Sequence, residues 1–252
     1  MIERVKTGID GLDKALNGGI PARNLVLISG GAGTGKSTLC MQFLYNGAKK
    51  FGEKGLYVST EQREQDLRKQ AEQYGWNLME LEEKGLLKIV FIDIVKENHF
   101  LERLREAIKL FRPKRLIIDS LSTLADYTAV TDYSKKSWTF AQIQSEIIPT
   151  AVTENIMTKK ILVALISELK EFDSTVLLTS ELPEGTNDLS ADKISEFITD
   201  GIIVLYHTNI GGEAFGNIQI RKMRYTSHSH ALYNLLITQH GIEIGEETTV
   251  MK

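Results

Sequence analysis

The chain of 252 residues has one cysteine, Cys40, which excludes an internal disulfide. That residue falls inside a helical apolar pattern, which suits a buried thiol. No run reaches the roughly 18 apolar residues that a membrane-spanning helix needs. The opening segment MIERVKTGIDGLDKAL carries charge from residue 3 and has no apolar stretch of the secretory-leader kind. Charge of one sign is not in excess: 30 Lys and Arg against 33 Asp and Glu give a formal net charge of -3, and the pI is about 6.0. That balance supplies no global basic field to draw the chain to nucleic acid or an anionic membrane, and it leaves local basic patches open. Internal repeats, low-complexity tracts and linkers are also lacking. We therefore expect a cytoplasmic chain. With 42% hydrophobic residues it can bury a sizeable core in one domain over residues 1–252.

What is present is an alternation. Short apolar, β-rich runs at 25–29, 56–59, 88–91, 116–118, 176–179 and 202–205 are separated by helical patterns. The patterns at 36–50, 62–74, 97–111 and 157–172 carry apolar residues three and four apart. Runs that are apolar on consecutive positions suit strands buried on both faces of a mainly parallel sheet, with helices covering each side. The order predicts a doubly wound α/β architecture. After residue 205, strand-like segments at 215–222, 232–238 and 242–244 follow without helices, with turn signals at Gly211-Gly212 and His240-Gly241. They predict antiparallel strands that extend the sheet. Residues 126–155 fit neither pattern: Pro149 interrupts an amphipathic run and no strand is evident, so a long surface connection with a helix is expected.

The segment Gly30-Gly31-Ala32-Gly33-Thr34-Gly35-Lys36-Ser37 fits G-x-x-x-x-G-K-[ST], and it directly joins the run at 25–29 to the helical pattern carrying Leu39, Phe43 and Leu44. The glycines let backbone N–H groups converge on phosphate oxygens, and the helix N-terminus adds the positive end of its dipole. Lys36 would reach the β- and γ-phosphates, and the Ser37 hydroxyl would ligate magnesium. A magnesium site also needs a nearby acid. Arg115-Leu116-Ile117-Ile118-Asp119-Ser120 is an apolar strand ending in a carboxylate, which makes Asp119 the Walker B candidate, although strand ends also carry capping aspartates. Hydrolysis further needs a group that orients and deprotonates water opposite the γ-phosphate. Glu61, just beyond Tyr57-Val58-Ser59-Thr60, is placed for that role and equally for charging the first turn of the next helix.

These motifs, with Thr7-Gly8-Ile9-Asp10-Gly11-Leu12-Asp13 and Gly18-Gly19-Ile20-Pro21, resemble the KaiC-like branch of the RecA superfamily. The similarity continues through Tyr74-Gly75-Trp76, Thr179-Ser180-Glu181, 200–206 and 220–228, and so covers nearly the whole chain. It implies a RecA-like P-loop core that binds ATP or ADP with Mg2+ as an ATPase, in homo-oligomers that are usually hexameric rings with nucleotide between neighbours. By this resemblance Gly31, Ala32, Gly33, Thr34, Gly35, Lys36, Ser37 and Thr38 hold nucleotide, while Ser37 and Asp119 hold the metal. Glu61 falls on the first of two adjacent catalytic glutamates. Gln62 occupies the second, and a neutral amide cannot accept the water's proton. Lys222, Met223, Arg224, Thr226 and His228 match the segment that reaches the neighbouring subunit's nucleotide. Lys222 and Arg224, two apart on an expected strand, would share a face. Taken alone, they are equally the solvated charges of an edge strand. Thr238 and Gln239 match a further nucleotide-contact pair whose second residue is often Asp. Ser180 is placed to sense the γ-phosphate or simply to cap. Arg23 and Tyr225 stand where the family has glycine; a tyrosine does not share glycine's φ freedom cheaply, so a different local backbone is expected at Tyr225.

The resemblance does not extend to a second ATPase domain or a phosphorylation segment, so no clock function is carried over. Two other readings remain open. A DNA-acting relative is opposed by the acidic balance and the lack of a basic-aromatic stretch, with Tyr133-Ser134-Lys135-Lys136-Ser137-Trp138 as its best counter-argument. A nucleotide-gated binding module with negligible hydrolysis is suggested by Gln62.

Overall fold

The structure is a computed structural model; it describes residues 2–94, 96, 100–123, 150–183, 186, 188–210 and 213–248. The basic-aromatic segment at 133–138 and the turn glycines at 211–212 lie outside the described residues.

The main sheet has nine strands. Its parallel part comprises β3 (Leu25–Gly30), β4 (Gly55–Ser59), β5 (Leu87–Phe91), β6 (Arg115–Asp119), β7 (Thr175–Glu181) and β8 (Gly201–Ile210). The antiparallel part adds β9 (Glu213–Met223), β10 (Leu232–Thr238) and β11 (Gly241–Glu247). The spatial order is β11-β10-β9-β8-β3-β7-β6-β4-β5. A separate antiparallel pair joins β1 (Arg4–Val5) to β2 (Ile20–Pro21). Every residue of β3, β4 and β6 is buried, as consecutive apolar positions require of strands covered on both faces.

One face is covered by α1 (Asp10–Ala15) and α2 (Lys36–Phe51), whose Leu12, Leu39, Phe43 and Leu44 pack on Ile28, Tyr57 and Ile117. The other is covered by α5 (Phe100–Phe111) and α6 (Thr150–Leu169), whose Leu104, Ile108, Leu162 and Leu165 pack on Val58, Ile118 and Leu178. Short helices α3 (Glu64–Glu72), α4 (Leu78–Glu83) and α7 (Ser195–Ile198) complete the layers. α4 and α7 are too short to show a helical period in the sequence. α6 starts at Thr150, directly after Pro149 in the sequence and well before residue 157, so its first turns belong to the stretch expected to be a connection.

α2 is fixed at both ends by glycine. Gly35 precedes it at φ 95°, and Gly52 ends it at φ 64°, which lets the Glu53 N–H bond the Gly47 carbonyl at 3.0 Å. Gly47 makes room for the fully buried Arg115: a Cβ there would lie 2.4 Å from the guanidinium Nε. Arg115 pairs with Glu53 at 2.6 Å, donates to the Phe43 carbonyl at 2.8 Å and lies over the Phe43 ring. The helix that follows the P-loop is thereby anchored to the start of β6, the strand that ends in Asp119.

Arg23 (φ 64°) and Tyr225 (φ 63°) both adopt the left-handed backbone that favours glycine. The strain of a non-glycine residue there is roughly 1–2 kcal/mol. One expectation is corrected: β9 ends at Met223, so Arg224 lies in the following turn and not on a strand shared with Lys222.

Candidate functional site

Residues 31–35 link β3 to α2 at the carboxyl edge of the parallel strands, where α/β sheets bind their ligands. Gly33 (φ 73°) and Gly35 (φ 95°) carry the left-handed turns. α2 begins without a capping side chain and without an acid in its first turn, so its leading N–H groups are left for an external anion. Lys36 folds into the loop, its Nζ donating to the Gly30 and Gly31 carbonyls at 2.9 and 2.8 Å. Burial pulls its ammonium below the ordinary lysine value, opposed by the charges of Glu181, Asp119 and Glu61. A mostly buried cation inside a ring of uncapped amides fits a polyphosphate. Ser37 and the buried Thr38 open the helix beneath it.

Asp119 ends β6 beside this loop and is 7% exposed. Its Oδ1 accepts from Thr179 Oγ1 at 2.5 Å, and its Oδ2 accepts from the Tyr57 hydroxyl. Tyr57 is fully buried, and its hydroxyl donates to no group but this carboxylate among the described residues. Burial first, and then the Asp119 charge, raise the phenol well above its ordinary pKa, so it stays a donor. Tyr57 therefore holds the carboxylate that, with Ser37, would bind magnesium. Among the described residues no group of three His, Cys, Asp or Glu could hold a metal ion by itself. Magnesium here would rely on phosphate oxygens and water beside Ser37 and Asp119, its usual habit.

Glu61 follows β4, exposed to solvent. Its Oε1 accepts from Ser120 Oγ at 2.5 Å and from the Thr123 hydroxyl, which sets it against the end of β6. Gln62 is also exposed, its N–H bonding Ser59 Oγ at 2.9 Å. Glu181, at the end of β7, lies 4.0 Å from Lys36. Ser180 is fully buried, its Oγ accepting from Ala191 N at 3.1 Å, a loop-holding role.

The remaining residues singled out by sequence divide between two edges of the sheet. Thr238 lies at the β10–β11 turn, where its Oγ1 donates to the carbonyl of its hairpin partner Gly241 at 3.1 Å, and Gln239 follows it. This hairpin packs on the P-loop: a Cβ on Gly35 would lie 3.0 Å from Ile237 Cδ1. Lys222, Met223, Arg224, Thr226 and His228 lie elsewhere. Met223 pairs with Gly201, which pairs with Val26 near the start of β3. Arg224 N bonds Asp200 O, and Asp200 N bonds Leu25 O. Lys222 Nζ donates to the Glu196 and Thr199 carbonyls at 3.0 and 2.6 Å, and Arg224 pairs with Asp200 at 3.0 Å. Thr226 Oγ1 accepts from Arg4 at 2.7 Å, and the His228 ring packs edge-on to His230. The Met223 side chain is buried in the core, which leaves only its main chain at this rim. At roughly 3.3 Å per residue the run from Leu25 to Gly30 is about 17 Å long, beyond an arginine's reach.

A cavity of about 520 Å³ adjoins the P-loop on its β8 side, lined by Gly30, Gly31, Ala32, Thr34, Leu189, Tyr206, His207 and Arg221 among others. His207 Nε2 lies 3.2 Å from the Gly33 carbonyl. Tyr57, Thr179, Glu181, His207 and Arg221 were given no role from the sequence because they come from four strands and meet only in the fold, although Thr179, Glu181 and Arg221 fall within segments that match the family.

A mainly parallel sheet whose central strand runs into such a loop, with an acid at the end of a nearby strand and antiparallel strands on the far side, defines a P-loop nucleotide-binding protein of the RecA type. The KaiC ATPase family matches residues 5–153 and 143–249, and the chain belongs to that family. A UPF0273 protein of Pyrococcus furiosus is 33% identical over 96% of this chain and 94% of its own length. The circadian clock oscillator protein KaiC of Synechococcus elongatus is 30% identical over 96% of this chain, which spans 44% of that protein. The crystal structure of a KaiC-like protein from the archaeon Pyrococcus horikoshii superposes with a TM-score of 0.80 at 33% identity, covering 98% of this chain and all of the other. The family is one of ATPases, and nucleotide binding comes to this chain with it.

Proposed function

We propose that the chain, acting as one unit over residues 1–252, is a magnesium-dependent ATPase whose site is completed by a second copy in a ring, most simply a hexamer. The observation that carries this is the division of its residues: the phosphate loop, Asp119 and Glu61 share the carboxyl edge of the sheet, while Lys222 and Arg224 sit at the other edge, beyond reach of their own loop. In this reading the loop amides and Lys36 bind the β- and γ-phosphates. Ser37 and Asp119 hold magnesium, which supplies neutralising charge to the phosphate oxygens when bound. Glu61, oriented by Ser120 and Thr123, takes the proton of the attacking water. Lys222 and Arg224 of the preceding copy present positive charge to the γ-phosphoryl oxygens, and Met223, Thr226 and His228 frame that edge. Thr238 and Gln239 flank the nucleotide from its own chain. Nucleotide state would then set the conformation of the ring for a protein partner.

Mixing two variants tests this. Arg224→Ala keeps its own P-loop and Glu61, whereas Glu61→Gln keeps its own Arg224. Each alone should be slow, by about 10³- to 10⁵-fold for the arginine. Co-assembled, they should recover part of the phosphate release, because some interfaces carry both intact partners. No recovery in a verified mixed assembly would overturn action between copies. Stimulation by single-stranded DNA would instead favour a DNA-acting enzyme, and no release from wild type would favour a nucleotide-gated binding module.

A further inference from the structure

Resting on the reading that Lys222 and Arg224 serve the neighbour, we propose that α7 is a lever that couples the occupancy of a subunit's own P-loop to the cations it presents, with Glu196 as the positioning residue. α7 is a single turn, and both its ends are tied. At one end the Glu196 carboxylate accepts from Leu189 N at 3.2 Å and from Ser190 Oγ at 3.1 Å. Leu189 lines the cavity beside the P-loop, and its carbonyl accepts from Ser29 Oγ at 2.6 Å, on the strand residue just before that loop. At the other end the carbonyls of Glu196 and Thr199 accept from Lys222 Nζ, and the adjoining Asp200 holds Arg224. One residue thus grips the cavity wall with its side chain and the neighbour-facing lysine with its main chain.

The opposite wall of the cavity arrives at the same lysine. The register between β8 and β9 shifts between Ile202, which pairs with Lys222, and Ile203, which pairs with Ile220. Arg221 is the extra residue of this bulge. On a regular strand consecutive side chains point to opposite faces, but here Arg221 lines the cavity while Lys222 reaches α7 on the same side of the sheet. A ligand that moves Leu189 or Arg221 therefore acts on Lys222 through short, hydrogen-bonded segments, the kind of connection that carries coupling between sites.

The test is equilibrium binding of a fluorescent, non-hydrolysable ATP analogue to the assembled protein with magnesium present. Wild type should bind with a Hill coefficient different from one, reflecting site affinities that differ by about 5-fold or more. Glu196→Ala should bring the coefficient to one with the mean affinity largely kept. Glu196→Gln retains an oxygen for Leu189 N and Ser190 and should restore most of the coupling, which a general loss of packing would not allow. Amide exchange at Leu189 should slow on nucleotide binding in wild type and not in Glu196→Ala. Independent sites in wild type, or Glu196→Ala with wild-type coupling and exchange, would overturn the lever. Coupling that survives Arg224→Ala together with Lys222→Ala but disappears in Glu196→Ala would instead overturn the neighbour-contact reading on which it rests.

Discussion

The two edges of the parallel sheet differ in how they are built. At the carboxyl edge, turn glycines and an uncapped helix leave backbone donors ready for an anion, beside a buried lysine held by the Gly30 and Gly31 carbonyls. At the amino edge the cations already have partners in the same chain: Lys222 with two carbonyls, Arg224 with Asp200, and Asp200 also with Lys170 at 3.4 Å. The first edge is a receptacle. The second presents charges already held by their own chain before any partner arrives, which lowers the ordering cost of an interface.

The sharpest way to separate the edges is Glu61→Gln. Hydrolysis should fall roughly 10²- to 10⁴-fold while nucleotide affinity is retained; a wild-type rate of phosphate release would remove Glu61 from the mechanism. Lys36→Ala should weaken triphosphate binding by about 2–5 kcal/mol, the usual loss when one partner of a buried charge contact is truncated. Titration calorimetry of the folded variant would show it, and an unchanged affinity would sink the phosphate assignment. Tyr57→Phe removes the hydroxyl that donates to Asp119 Oδ2. The magnesium concentration for half-maximal nucleotide binding should rise about 10- to 100-fold, as for other groups that orient metal ligands, with metal-free binding unchanged. The smallest effect concerns the amino edge. Tyr225→Gly should relieve the left-handed strain and stabilise the fold by up to about 1 kcal/mol, read from the urea midpoint, without altering nucleotide affinity of the separated chain. A destabilised variant would mean that the exposed Tyr225 ring makes a compensating contact.

Legibility followed contiguity. The loop at 30–37 is readable because its chemistry is packed into eight neighbouring residues between a strand and a helix, and the buried strands are readable because continuous apolar runs suit few other environments. Asp119 is readable as a strand-end acid, but its clamp is not, since Tyr57 and Thr179 come from the strands on either side of β6. α4 and α7 are hidden by their six and four residues. The bulge at Arg221 is hidden because a strand pattern does not reveal its partner's register.

By itself the sequence determined the layered α/β architecture, through apolar runs that must be buried on both faces, and the phosphate loop, through glycines whose backbone freedom is local. Only the tertiary structure decided which edge each charged group occupies. Strand order and register are set by contacts between distant segments, and those contacts put Lys36 and Arg224 at opposite ends of β3.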